Sequence, residues 1–120
     1  MRRVALVLVT LAALVLPAAV SAHATLKSVS PGFQQELNVA PTAIVLTFDQ
    51  IVSFPAVEVL DQAGHNWALP ATLNDTTVRA RVRHLPRGNY TVRWHALSAD
   101  SHVVSGVWTF GVGVPALPPT

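Results

Sequence analysis

The sequence predicts an all-β chain, folded as a small Greek-key antiparallel β-sandwich. Three observations carry that reading. Apolar and polar residues alternate with period two almost throughout the chain after residue 22, and no segment there shows a sustained helical stripe. Pro31, Pro41, Pro55, Pro70 and Pro86 fall between or at the edges of the alternating runs, where a missing amide donor does least harm. The segment Leu85-Pro86-Arg87-Gly88-Asn89-Tyr90-Thr91-Val92 has the form of a tyrosine corner, in which a tyrosine opening a strand bonds back to the preceding loop. About seven short strands in a span of about 100 residues suit a sandwich and one domain.

The chain of 120 residues opens with Met1-Arg2-Arg3, continues with a 13-residue run from Val4 to Leu16 that is apolar save for Thr10, and then reads Pro17-Ala18-Ala19-Val20-Ser21-Ala22. A basic head, a short apolar run and small residues before a break describe a cleavable export leader over residues 1–22. The run falls short of the roughly 20 residues that cross a bilayer as a helix, and nothing later is apolar and long enough to serve as a stable anchor.

Ile44, Leu46 and Phe48 alternate with Val45 and Thr47, giving the first clear strand. Val57 and Val59 flank Glu58 in a second, which Asp61-Gln62-Ala63-Gly64 closes with a turn. Val78, Ala80 and Val82 alternate with Arg79, Arg81 and Arg83, a strand with one wet face whose charges would also discourage edge pairing. Tyr90, Val92, Trp94 and Ala96 alternate with Thr91, Arg93, His95 and Leu97, and a last strand runs from about Val104 to Val112 with Trp108 and Phe110 on one face. Trp67, Trp94 and Trp108 read as core or half-core aromatics. The domain is thus expected over residues 23–114, with 115–120 a flexible tail.

Composition narrows the function. The chain is 51% hydrophobic and 12% charged, far from the make-up of a disordered chain. It has no cysteine, hence neither disulfide, thiolate site nor thiol nucleophile, and its single methionine is Met1. The formal charge of +2 comes from Arg2 and Arg3, because residues 23–120 hold six basic residues and six acidic ones. Without a positive balance a nucleic-acid partner loses its electrostatic basis. No nucleophile–base pair, phosphate loop or carboxylate dyad stands out, so the reading is of a protein that is not an enzyme.

Two features offer metal chemistry. Cleavage after Ala22 would leave His23 at the new N-terminus, where the α-amine and the imidazole can chelate one ion. Asp100-Ser101-His102 lies between the last two strands. In an extended segment residues i and i+2 face the same way about 6.5 Å apart, so Asp100 and His102 can converge on one ion. Three nitrogens and a carboxylate oxygen form a tetragonal N,O set suited to Cu(II), with Ni(II) a weaker competitor. The residue types alone leave open a plain polar loop in which Asp100 turns back on its own backbone. His65 and His84 read as solvated, and His95 as a surface or rim residue.

The stretch Tyr90-Thr91-Val92-Arg93-Trp94-His95-Ala96-Leu97-Ser98-Ala99-Asp100-Ser101-His102-Val103-Val104-Ser105-Gly106 resembles the signature of CopC-type copper-resistance proteins. So do His23-Ala24-Thr25-Leu26 with Ser30-Pro31, and the middle stretch from Leu46-Thr47-Phe48 to Val59 and Gly64. The resemblance implies an exported, periplasmic β-sandwich, immunoglobulin-like or cupredoxin-like in its barrel. It implies one Cu(II) held by His23, Asp100 and His102, a monomer, and transfer of copper to an inner-membrane CopD-like transporter. Glycine is usual in the family where Ser101 stands, arginine near His95, and glutamate is frequent at Gln50. Some members carry a methionine-rich loop for Cu(I), which this chain lacks, so the expectation is a Cu(II)-only form. Two rivals stand beside it. One is an oxidative copper enzyme with an N-terminal histidine brace, against which Asp100 argues by filling the position oxygen would need. The other is a metal-free immunoglobulin-like interaction module.

Overall fold

A computed structural model describes residues 23–119, so the expected leader, 1–22, lies outside the described residues. Eight strands form, with no helix among the described residues: β1 (Leu26–Ser30), β2 (Gln35–Leu37), β3 (Ala43–Phe48), β4 (Ser53–Leu60), β5 (Thr72–Asn74), β6 (Thr77–Arg81), β7 (Gly88–Leu97) and β8 (Val103–Val112). They make two four-stranded sheets, ordered β1-β3-β6-β5 and β2-β8-β7-β4.

Alternation sets the core, because successive side chains in a strand point to opposite faces. Ile44, Leu46 and Phe48 of β3 and Val78 and Ala80 of β6 meet Val57 and Val59 of β4, Tyr90, Val92, Trp94 and Ala96 of β7, and Trp108, Phe110 and Val112 of β8. Each large apolar side chain so enclosed stabilises the fold by about 1.5–3 kcal/mol. The tyrosine corner forms as expected: the Tyr90 hydroxyl donates to the Pro86 carbonyl at 2.6 Å, while its ring stacks on Phe110. Of the tryptophans, Trp94 and Trp108 are buried and Trp67 half-buried, its indole N–H donating to Asp61 Oδ2 at 2.9 Å.

Four expectations need correction. The sandwich is not antiparallel throughout, because β2 runs parallel to β8. A chain that leaves one sheet at β1 and joins the edge of the other over three residues can pair in that direction without a hairpin. Next, β6 lies between β3 and β5, so exposed Arg79 and Arg81 line an open face and guard no edge. Third, the segment after β8 is tethered: Leu117 donates its N–H to Asn89 Oδ1 at 2.9 Å, and the Thr109 hydroxyl donates to the Leu117 carbonyl. The fourth concerns the loop after β7, described below. Strands β1, β2 and β5 have exposed or half-buried residues in no strict alternation, which hides them from pattern reading.

Candidate metal centre

His23 is held by the residues that follow it. Ala24 is buried in the core. Asp49, just past β3, accepts the Thr25 N–H on Oδ1 at 2.6 Å and donates its own N–H to the Thr25 carbonyl at 2.9 Å. Pairing of Leu26 with Phe48 continues this grip into β1. The arm therefore leaves His23 on the surface at one end of the sandwich, next to the β7–β8 connection.

That connection is a hairpin with a three-residue loop, Ala99–Ser101. The Ser101 N–H donates to the Ser98 carbonyl at 3.0 Å and the Ser98 N–H to the His102 carbonyl at 2.9 Å. Such a loop ends on a residue in the left-handed region, and Ser101 has φ 67°. Glycine takes up this left-handed backbone without steric cost, whereas a serine does so at some expense. Asp100 and His102 therefore converge through a turn, not through an extended segment as the sequence suggested.

Within the turn, the two oxygens of Asp100 have different surroundings. Oδ1 faces the loop, accepting the Ser98 hydroxyl and, at 3.2 Å, the His102 N–H. Oδ2 faces the imidazoles, 2.9 Å from His102 Nδ1 and 3.5 Å from His23 Nε2. The turn-forming role and the ligand role are thus divided between the two atoms of one carboxylate. The Ser98 hydroxyl, and after it the His102 ring, hold the Asp100 carboxyl well below the usual carboxylate range against a smaller opposing effect of desolvation. The two imidazoles stack with centroids 4.9 Å apart and planes 24° from parallel. One ligand-type atom from each of His23, Asp100 and His102 lies within 4.8 Å of the other two, close enough for one ion. Both rings are exposed and Asp100 is half-buried, so an ion can enter from solvent without a cavity.

The other histidines stand apart from this cluster. His65 is exposed with Nδ1 3.5 Å from Asp61 Oδ2, His84 is exposed in its loop, and His95 is exposed near the C-terminal end of β7. Gln50 is half-buried beside Asp49 at the end of β3. A cavity of about 290 Å³ lined by Asp61, Asn89, Tyr90, Thr109 and Leu117 contains none of the three clustered residues. Sequence reading missed Ser98, Ala24 and Asp49. A serine two residues before an aspartate is a turn signal that was available. The reach of Asp49 to Thr25 spans 24 residues and leaves no local trace.

Taken together, the fold and the cluster define a small β-sandwich protein with an exposed histidine–aspartate–histidine donor set between its first strand and its last hairpin. Residues 26–113 match the CopC domain, and the chain belongs to the CopC family. It is 34% identical over 98 residues to the protein YobA of Escherichia coli K12, an alignment covering 76% of this chain and 79% of that one. It is 33% identical over 106 residues to the copper transport protein CutJ of Bacillus subtilis, 82% of this chain but only 19% of that longer protein. Among solved structures, CopC of Methylosinus trichosporium OB3b shares the fold with a TM-score of 0.71 at 23% identity, covering 82% of this chain and 99% of that one. PcoC of E. coli, a methionine-rich copper resistance protein, superposes with a TM-score of 0.62 at 27% identity over 75% of this chain and 98% of its own.

Proposed function

We propose that this chain is an exported, non-catalytic copper-binding protein of copper resistance and homeostasis. It holds one Cu(II) through His23, Asp100 and His102 and passes it to a membrane transporter of the CopD type. The observation that carries this reading is the approach of the three side chains, from opposite ends of the sequence, in a member of the CopC family. The copper transport and copper resistance roles of CutJ and PcoC support it.

Removal of residues 1–22 in the periplasm would free the α-amine of His23 and bring the set to three nitrogens and one oxygen, the tetragonal environment Cu(II) favours. Chelation by the amine uses the adjacent Nδ1, which the exposed ring can present by rotating about its last side-chain bond. No thioether is offered, since Met1 is the only methionine and belongs to the leader. Reduction to Cu(I), which prefers sulfur ligands, would therefore weaken the grip and favour release to an acceptor. Protons compete for every donor, so acid releases the ion as well.

The test is a competitive Cu(II) titration of the exported protein, with its N-terminus established by intact mass. Tight one-to-one binding by a chain starting at His23, severely weakened in both Asp100→Ala and His102→Ala, is the expected result. Unchanged affinity in both variants would overturn the ligand assignment, and no binding by the wild type would overturn the copper function.

A further inference from the structure

Ser98 is buried just past the end of β7, and among the described residues its hydroxyl bonds within the hairpin that carries Asp100 and His102. The hydroxyl reaches Asp100 Oδ1 and lies 3.0 Å from the carbonyl oxygen of His102. It has one hydrogen, so donation to the carboxylate and to the carbonyl alternate. With the His102 N–H also on Oδ1, that oxygen is held inward by two donors from the loop. Only Oδ2 is turned to the imidazoles.

We propose that Ser98 is a positioning residue that makes Asp100 a one-oxygen ligand and thereby sets the geometry of the bound copper. This rests on His23, Asp100 and His102 being the ligands. Two imidazoles, an amine and a single carboxylate oxygen fill a four-donor plane. A carboxylate free to rotate would offer both oxygens and crowd it. Hydrogen bonds that orient metal ligands from behind typically change metal affinity by about 10–100-fold when removed. Burial keeps water from replacing the hydroxyl, so its effect is not shared with solvent.

The experiment compares wild type, Ser98→Ala, Ser98→Thr, Asp100→Ala and the Ser98→Ala/Asp100→Ala double variant, all processed to His23, by Cu(II) competition and by electron paramagnetic resonance of the bound ion. We expect Ser98→Ala to bind about tenfold more weakly with an altered Cu(II) hyperfine pattern. Ser98→Thr, which keeps the hydroxyl, should restore both, and the serine change should cost nothing further once Asp100 is absent. Wild-type affinity and spectrum in Ser98→Ala would overturn the proposal. So would a penalty that persists in the double variant, because Ser98 would then act through loop shape alone. Failure of the ligand reading is separable, since it would show as indifference of the wild-type affinity to Asp100→Ala itself. Melting temperatures of the metal-free variants verify that each is folded.

Discussion

Replacing Gly106 by alanine tests how tightly the sheet that carries the Asp100–His102 hairpin is packed. Gly106 of β8 pairs with Trp94 of β7, and both face the core. A β-carbon at Gly106 would sit 2.7 Å from Trp94 Nε1 and 2.9 Å from Cε2 and Cζ2, inside any permitted contact. The indole cannot swing away freely, because it is buried and packed edge-on against Phe48 with centroids 5.3 Å apart. Overpacking of this kind costs about 1–3 kcal/mol, and the rigid obstacle favours the upper end. Alanine in an extended strand recovers about 0.5–1 kcal/mol of backbone entropy that glycine loses on folding. The net loss is about 2 kcal/mol, which in a domain of this size lowers the midpoint of thermal unfolding by about 8–16 °C. Thermal melts followed by tryptophan fluorescence and by far-ultraviolet circular dichroism measure this directly. A melting point equal to or above that of the parent would refute the packing argument. A smaller indole substitute should relieve the clash, so Trp94→Leu should cost less in the Gly106→Ala background than in the parent.

Two further predictions concern the loops. Ser101→Gly relieves a left-handed backbone that costs an L-residue about 1–2 kcal/mol, offset by glycine's own entropy, and so should stabilise the metal-free protein by up to about 1 kcal/mol. A lower melting temperature would show that the serine side chain contributes something the backbone angle does not reveal. Asp61 is held below its ordinary value of 3.8, first by the Trp67 indole and then by the His65 amide. A depressed folded-state value means that its stabilisation is present above 3.8 and fades as pH falls through and below that value. Asp61→Asn should therefore flatten the acid side of the stability–pH curve of the metal-free protein, the remaining slope coming from groups such as Asp100. An unchanged slope in denaturant titrations at a series of acid pH values would count against the Asp61 assignment.

What the sequence determined by itself was whatever local spacing controls. Alternation fixed the inward faces of β3, β4, β6, β7 and β8, and the Pro86-to-Tyr90 interval fixed the tyrosine corner. Chemistry of residue types, together with the resemblance, was enough to single out His23, Asp100 and His102. Tertiary structure decided the rest, because the deciding contacts lie far apart in sequence or depend on backbone angles. The parallel pairing of β2 with β8 joins segments about 75 residues apart, and short half-exposed strands carry no periodic signal. That His23 meets Asp100 follows from a buried Ala24 and from Asp49 gripping Thr25, neither of which a reader of residues 20–30 could foresee. The division of Asp100 into a loop-facing and a histidine-facing oxygen exists only once Ser101 adopts its left-handed angle and Ser98 is enclosed. A pattern of side chains names the donors, but directional hydrogen bonds within a closed turn decide which donor atom is offered.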